Sequence, residues 1–206
     1  MKEAGRFLRL LAHDLQNQAG AVDLNLQILP SVLPEEFANS EFILRAMASS
    51  RDLLAVIEDI QYFARAASRE DDAEAVPLVS CDLSTKVRDC ALSLQASAVA
   101  RRVTLRAVAT EDVHALGESD SIRRTIQILT SEAIRSAFPE STVEMIVTSK
   151  PVPTIEITVS VEGIFEEART TLATYLAKAI SRSSNVTMLL RSDSGISRVQ
   201  LLFQPA

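Results

Sequence analysis

From Glu3 to Leu29 the chain contains no proline, and Ala4, Leu8, Leu11, Leu15, Val22, Leu26 and Leu29 recur at the spacing of one helical face. The pattern predicts a long amphipathic helix that stops at Pro30. The segment PSVLPEEFANS, with two prolines and a closing Asn-Ser, reads as a connection. A second helical pattern runs from about Glu41 to Ser68, with Ile43, Ala46, Met47, Leu53, Leu54, Ile57, Ile60, Gln61 and Ala64 as its apolar stripe. Two long helices on a short link form an antiparallel hairpin. One hairpin leaves the far sides of both stripes wet, so it needs a third element or a second copy of itself. A four-helix bundle made from the two hairpins of a homodimer is the economical solution.

The stretch SREDDAEAVP is acidic, poor in large apolar residues and closed by Pro77, and it marks a boundary. The expected organisation is a helical hairpin over residues 1–70, a linker over 71–80 and a second domain over 81–206. In that domain Asp82 is placed to cap a helix over Leu83 to Ala100, followed by the strand-like VTLRAV and a short VHAL. A helix capped by Ser119 or Asp120 then runs to Pro139. The alternating stretches TVEMIVTS and TIEITVSV, a helix over Glu166 to Ser181, and the strands NVTMLLRS and SRVQLLFQ follow. Asp193-Ser194-Gly195 supplies the turn between the last two. The expected fold class is therefore α+β: the hairpin, and an α/β sandwich of one sheet with helices on one face.

Composition narrows the function classes. Hydrophobic residues make up 47% of the 206 and charged ones 23%, the balance of a soluble globular protein. No apolar run approaches the roughly 20 residues that span a bilayer, and the charged start MKEAGRFLRLLAHDL is unlike a signal peptide. The expected location is the cytoplasm, with no membrane partner. Cys81 and Cys90 are too few for a disulfide framework or a cysteine-based zinc site, and two histidines are too few for a histidine-rich one. No resident metal is expected. A net charge of −6 lacks the basic footprint that nucleic acid requires, and five glycines are few for phosphate-cradling loops.

On a wheel at about 100° per residue, His13 lies nearly opposite the apolar stripe of the first helix. Arg6, Arg9, Gln16, Asn17, Gly20 and Gln27 share its face, flanked by Leu10 and Leu24. Asn17 follows His13 by one turn, so its amide reaches what the imidazole holds. Asp14 projects to the side, where it can accept a hydrogen bond from one ring nitrogen. That bond fixes the tautomer and leaves the other nitrogen as a lone-pair nucleophile. Gly20 costs a helix interior about 1 kcal/mol relative to alanine and leaves room for another backbone. His-Asp-x-x-Asn is by itself a weak signal, since a histidine on a wet helix face is usually just solvated.

The segment FLRLLAHDLQNQAGAVDLNLQIL resembles the dimerisation and phosphoacceptor helix of sensor histidine kinases, in which His-[Asp/Glu]-Leu-x-[Asn/Thr] marks the phosphorylated histidine. The resemblance implies that His13 is the phosphoacceptor, Asp14 the adjacent acid and Asn17 the residue that positions water for dephosphorylation of a receiver. Gln18 stands where the family usually has proline. Most of Cys81 to Ala206 resembles, in its order of elements, the ATP-binding domain of the same kinases. VHALGESDSIRRTIQILTSEAIRSAF matches its strand and N-box helix, LATYLAKAISRSSNVTMLL its later helix and strand, and SDSGISRVQLLFQPA its closing hairpin. The two N-box asparagines fall on Ile128 and Glu132, and the adenine-reading Asp-x-Gly-x-Gly on Val161, Gly163 and Phe165. Thr171 and Ala173 replace the second glycine motif, with hardly room for an ATP lid after Ile164. Valine offers no acceptor to the adenine amine and Phe165 fills space that glycine leaves open, so ATP binding and ATP-dependent kinase activity are not expected. Glu132 reads as a solvated or paired acid, and His114 as structural or exposed.

An intact phosphoacceptor hairpin joined to a domain stripped of its nucleotide contacts resembles the dimeric histidine phosphotransferases of bacterial multistep phosphorelays. The resemblance implies that His13 takes a phosphoryl group from one receiver-domain aspartate and passes it to another. The protein would need no cofactor of its own, the receiver supplying the magnesium. Arg6, Arg9, Leu10, Gln16, Gly20 and Leu24 are the expected partner-binding residues, and response-regulator receivers and a second copy the expected partners. Two alternatives remain: a pseudokinase module that binds and inhibits or dephosphorylates a kinase or response regulator, and a divergent active histidine kinase.

Overall fold

The structure is a computed structural model of the 206-residue chain and describes residues 2–38, 40–69, 77–109, 111–161, 171–183, 185–193 and 195–206. The chain divides into two compact units, Met1–Glu74 and Ala75–Ala206.

The first unit consists of α1 (Lys2–Val32), a short α2 (Glu35–Ala38) and α3 (Glu41–Arg69). Contrary to the sequence expectation, α1 runs through Pro30 instead of stopping there. Proline is costly in a helix interior because it removes an i to i−4 hydrogen bond and crowds the preceding turn. Here only two helical residues follow it, so the loss is confined to the last turn, which Leu33 N closes on Leu29 O at 3.1 Å. The connection holds its own turn of helix, with the amides of Phe37 and Ala38 both donating to Pro34 O.

Packing between α1 and α3 follows seven-residue spacing. Ala12 and Ala19 are buried on α1, and Ile43, Ser50, Ile57 and Ala64 on α3. This spacing keeps one line of each helix facing the other. The leucine-rich stripe of α1 is covered only in part: Leu8, Leu26 and Leu29 are half-buried. Leu11, Leu15 and Val22 remain 43%, 44% and 54% exposed, and Phe42 and Leu53 of α3 are exposed as well. Small side chains let two helices approach closely: on α1 the alanines face the isoleucines of α3, and Leu11, Leu15 and Val22 are left on the open side.

The second unit starts with β1 (Val79–Asp82), whose first residues lie in the expected linker, and continues into α4 (Leu83–Ala100). Asp82 caps α4 as anticipated: its carboxylate accepts from Thr85 N at 3.0 Å and from Thr85 Oγ1 at 2.6 Å. Then follow β2 (Thr104–Ala109), β3 (His114–Gly117), α5 (Ser119–Ser136), β4 (Thr142–Thr148) and β5 (Thr154–Val159). The chain closes with α6 (Leu172–Ser183), β6 (Thr187–Asp193), β7 (Ile196–Leu202) and β8 (Gln204–Pro205). The cap of α5 differs from expectation. Glu118, in extended conformation, is the N-cap residue, and Ser119 and Asp120 belong to the first turn. The part of the expected Glu166–Ser181 helix before Thr171 lies outside the described residues.

Among the described residues there are two sheets where one was expected. The larger has the order β2-β4-β5-β7-β6, with β2 parallel to β4 and the other pairs antiparallel. The smaller, β1-β3-β8, is antiparallel throughout. Side chains alternate across the large sheet as the pleat requires. Val143, Met145 and Val147 of β4, Ile155 and Ile157 of β5, and Val199 and Leu201 of β7 are buried. Glu144, Glu156 and Gln200 occupy the alternate, part-exposed positions. Ile122, Ile126, Leu129 and Ala133 of α5 and Leu176, Ala177 and Ile180 of α6 complete the core. The result is a two-layer α/β unit around a mixed sheet. No described helix is long and apolar enough to cross a membrane.

Candidate functional site

His13 sits on the outer surface of α1, its side chain 68% exposed. Two neighbours address the same ring nitrogen. Asn17 Nδ2 lies 3.4 Å from His13 Nδ1, one turn along the helix, and Asp14 Oδ1 lies at 3.5 Å. Among the described residues Nε2 has no hydrogen-bond or ion-pair partner. A proton on Nδ1 turns toward the Asp14 carboxylate, and Nε2 then carries the free lone pair. With the other tautomer, Asn17 donates its amide hydrogen to the Nδ1 lone pair instead.

The other candidate residues divide into two groups. Arg9, Leu10 and Leu24 are exposed beside the histidine, and a Cβ built on Gly20 would meet nothing within 4 Å. Nothing within the chain demands glycine at position 20. The side chain of Arg6 lies outside the described residues. Gln16 differs from the rest of the group, because its Oε1 accepts from Gln61 Nε2 at 2.6 Å and the pair ties α1 to α3 across the seam. Gln61 falls within the apolar stripe that the sequence predicts for α3. A polar residue in such a stripe was the available sign that it had a polar counterpart.

In the second unit, four positions matched to nucleotide contacts are described in their own packing and hydrogen bonding. Ile128 is buried, and the buried Glu132 carboxylate accepts from Arg135 one turn later. Thr171 serves as a helix cap, its Oγ1 accepting from Thr174 N at 3.2 Å, and Ala173 is buried. Gly163, Ile164 and Phe165 lie outside the described residues. The groove lined by Ser121, Ile122, Thr125, Ser181, Val186, Leu201 and Phe203 has no room for a water molecule. His114 is exposed on β3, where it registers with Asp82 and its charge adds to the effects that lower the Asp82 pKa. Burial pushes the Cys90 thiol up to about 12, which keeps it protonated and unreactive. Among the described residues no group of three or more His, Cys, Asp or Glu is placed to hold a metal ion.

No protein-family model and no curated protein sequence matches the chain. Solved structures match it in fold. The histidine kinase AdeS of Acinetobacter baumannii is 14% identical with a TM-score of 0.62, over 94% of this chain and 98% of that one. Full-length ShkA in complex with AMPPNP is 16% identical with a TM-score of 0.62; the match takes in 98% of this chain and 46% of ShkA. The catalytic domain of the histidine kinase ThkA is 12% identical with a TM-score of 0.52, over 64% of this chain and all of that one. At these identities the likeness is one of fold. The chain has an α+β fold like that of these histidine kinases.

Proposed function

We propose that this histidine-kinase-like chain is a histidine phosphotransfer protein that relays a phosphoryl group between receiver-domain aspartates through His13, without binding ATP. The observation that carries the reading is the state of His13: its side chain is 68% exposed and Nδ1 is addressed by Asp14 and Asn17, while Nε2 has no partner among the described residues. The described N-box positions matched to the kinases' nucleotide contacts offer little to a ligand. Ile128 offers no donor atom and the Glu132 carboxylate is committed to Arg135. These residues do not fit a magnesium-nucleotide complex.

In the relay the Nε2 lone pair attacks the phosphorus of an aspartyl phosphate. The P–N bond forms, the P–O bond to the aspartate breaks, and the carboxylate leaves with the electron pair. The Nδ1 proton stays between the ring and Asp14, which offsets the positive charge on the imidazole. Reversal of the same step delivers the group to a second receiver. Because the phosphoramidate and the acyl phosphate lie close in energy, positioning and charge neutralisation suffice. Magnesium is the receiver's contribution. Arg9, Leu10, Gly20 and Leu24 frame the histidine as a docking surface, with the Gln16–Gln61 pair beside it.

The apolar residues left outside the hairpin seam support assembly as a homodimer. Leu11, Leu15 and Val22 on α1 and Phe42 and Leu53 on α3 are all exposed in the single chain. A second hairpin would bury them in a four-helix bundle. Light scattering at micromolar concentration is expected to give twice the chain mass, and the Leu15→Glu, Val22→Glu variant the mass of one chain.

The relay is tested by mixing the purified protein with a receiver domain radiolabelled on its aspartate. Label moving onto the protein, and absent from His13→Ala, is the expected result. Receiver label lost without labelling of the protein favours the pseudokinase alternative, in which Asn17 directs water. Label acquired from ATP on His13 overturns the proposal in favour of an active kinase.

A further inference from the structure

The seam between α1 and α3 holds two polar side chains that its packing does not use. Asp23 and Ser50 are each more than nine-tenths buried. Asp23 Oδ1 and Ser50 Oγ are closed off from solvent and have no hydrogen-bond partner among the described residues. The other carboxylate oxygen of Asp23 accepts from Gln27 on its own helix. The remaining buried seam residues are Ala12, Ala19, Ile43, Ile57 and Ala64. An oxygen removed from water without a partner opposes folding, and a carboxylate oxygen more so than a hydroxyl. Apolar side chains at both positions would make a more stable seam.

Alanines also specify alignment weakly. A line of small side chains presents nearly the same surface after a shift of one turn, so Ala12, Ala19 and Ala64 fit more than one register. The polar groups do discriminate. A one-turn slip parts Gln16 from Gln61, and it moves Asp23 and Ser50 against different residues of the opposing helix. A polar residue in a helical seam is known to select one alignment at a cost in stability. We infer that Asp23 and Ser50, with the Gln16–Gln61 bond, form a register lock that holds α1 and α3 in a single alignment at the expense of stability. The lock sets where α3 lies beside His13, and it stands or falls independently of the relay.

The test compares the full chain with its Asp23→Leu, Ser50→Ala variant. Spin labels are attached through Asn25→Cys and Arg65→Cys, exposed positions of α1 and α3 separated by about 20 Å along the hairpin axis, with Cys81 and Cys90 buried and spared. Labelled protein is diluted into excess unlabelled protein, so that only distances within one chain are read. The unsubstituted seam is expected to give one distance. The apolar variant is expected to melt higher and to show a second distance displaced by about 5 Å, one helical turn. Ser50→Ala alone, which removes only the hydroxyl, is also expected to melt higher. An unchanged or lower Tm in both variants, or a single unaltered distance in the apolar seam, overturns the proposal.

Discussion

The amide nitrogen of Asn17 lies 3.4 Å from Nδ1 of His13, and the Asp14 carboxylate approaches the same nitrogen at 3.5 Å. One ring nitrogen thus has two polar neighbours with opposite preferences for its proton. Asp14→Asn replaces the carboxylate, whose negative charge favours the proton on Nδ1 and the lone pair on Nε2, with a neutral amide. Phosphoryl transfer from a labelled receiver, followed in single-turnover time courses, is expected to slow by about tenfold or more, equivalent to about 1.4 kcal/mol of barrier. Asn17→Ala is expected to leave labelling of His13 within about twofold. An unchanged rate in Asp14→Asn would remove the tautomer role from the mechanism.

Gly20 separates helix stability from docking. A methyl group there meets nothing in the chain. Gly20→Ala is therefore expected to stabilise the hairpin by up to about 1 kcal/mol, read as a higher melting temperature by circular dichroism. Transfer from a receiver is expected to slow in the same variant, because the added side chain stands where the partner's backbone would come close. Faster or equal transfer would show that the glycine serves no docking purpose.

Asp82 ties the stability of the second unit to pH. Hydrogen bonds from the Thr85 side chain and then the Thr85 backbone hold its carboxyl below the usual carboxylate range. The folded state therefore binds this proton less readily than the unfolded one. The contribution is fully present above the unfolded value near 3.9 and is lost as pH falls through the lower folded value. Asp82→Ala is expected to cost about 0.5–2 kcal/mol in urea unfolding at pH 7, as for other helix caps. In strong acid the difference from the parent should close. Asp82→Asn should retain much of the cap while losing this part of the pH dependence.

Cys90 offers a check on the packing between α4 and the core. Its thiol is buried and pushed up to about 12, chiefly by desolvation. Iodoacetamide at pH 8 is expected to leave Cys90 unmodified in the folded protein, by mass spectrometry, and to alkylate it in urea. Rapid modification without denaturant would mean that α4 opens locally.

Local signals were readable wherever one residue sufficed to carry them. Asp82 announced α4 because a carboxylate three residues before a free amide is a cap in any setting. The cap of α5 was harder to place: Ser119 and Asp120 have the favoured cap side chains, but the residue before them, Glu118, holds the position. Pairing of Gly117 with Val79 holds β3 extended up to that point, and Glu118 follows in the same extended conformation. The second sheet escaped notice because β1 and β8 are only four and two residues long. Strands so short have no period to read. Gln61 hid for a related reason: its role depends on Gln16, 45 residues away.

The sequence by itself determined that two long amphipathic helices exist, that a mixed α/β unit follows, and that His13, Asp14 and Asn17 share one side of α1. Those properties depend on spacing along one helix or strand, which the chain states directly. Tertiary structure alone decided which line of α1 meets α3. By apolarity the leucine stripe was the natural choice, yet Ala12 and Ala19 take the seam and Leu11, Leu15 and Val22 stay outside. The choice rests on how closely two backbones approach, and on where Gln16 finds Gln61 and Asp23 is closed in. No period within a single helix records those relations, because they belong to the pair.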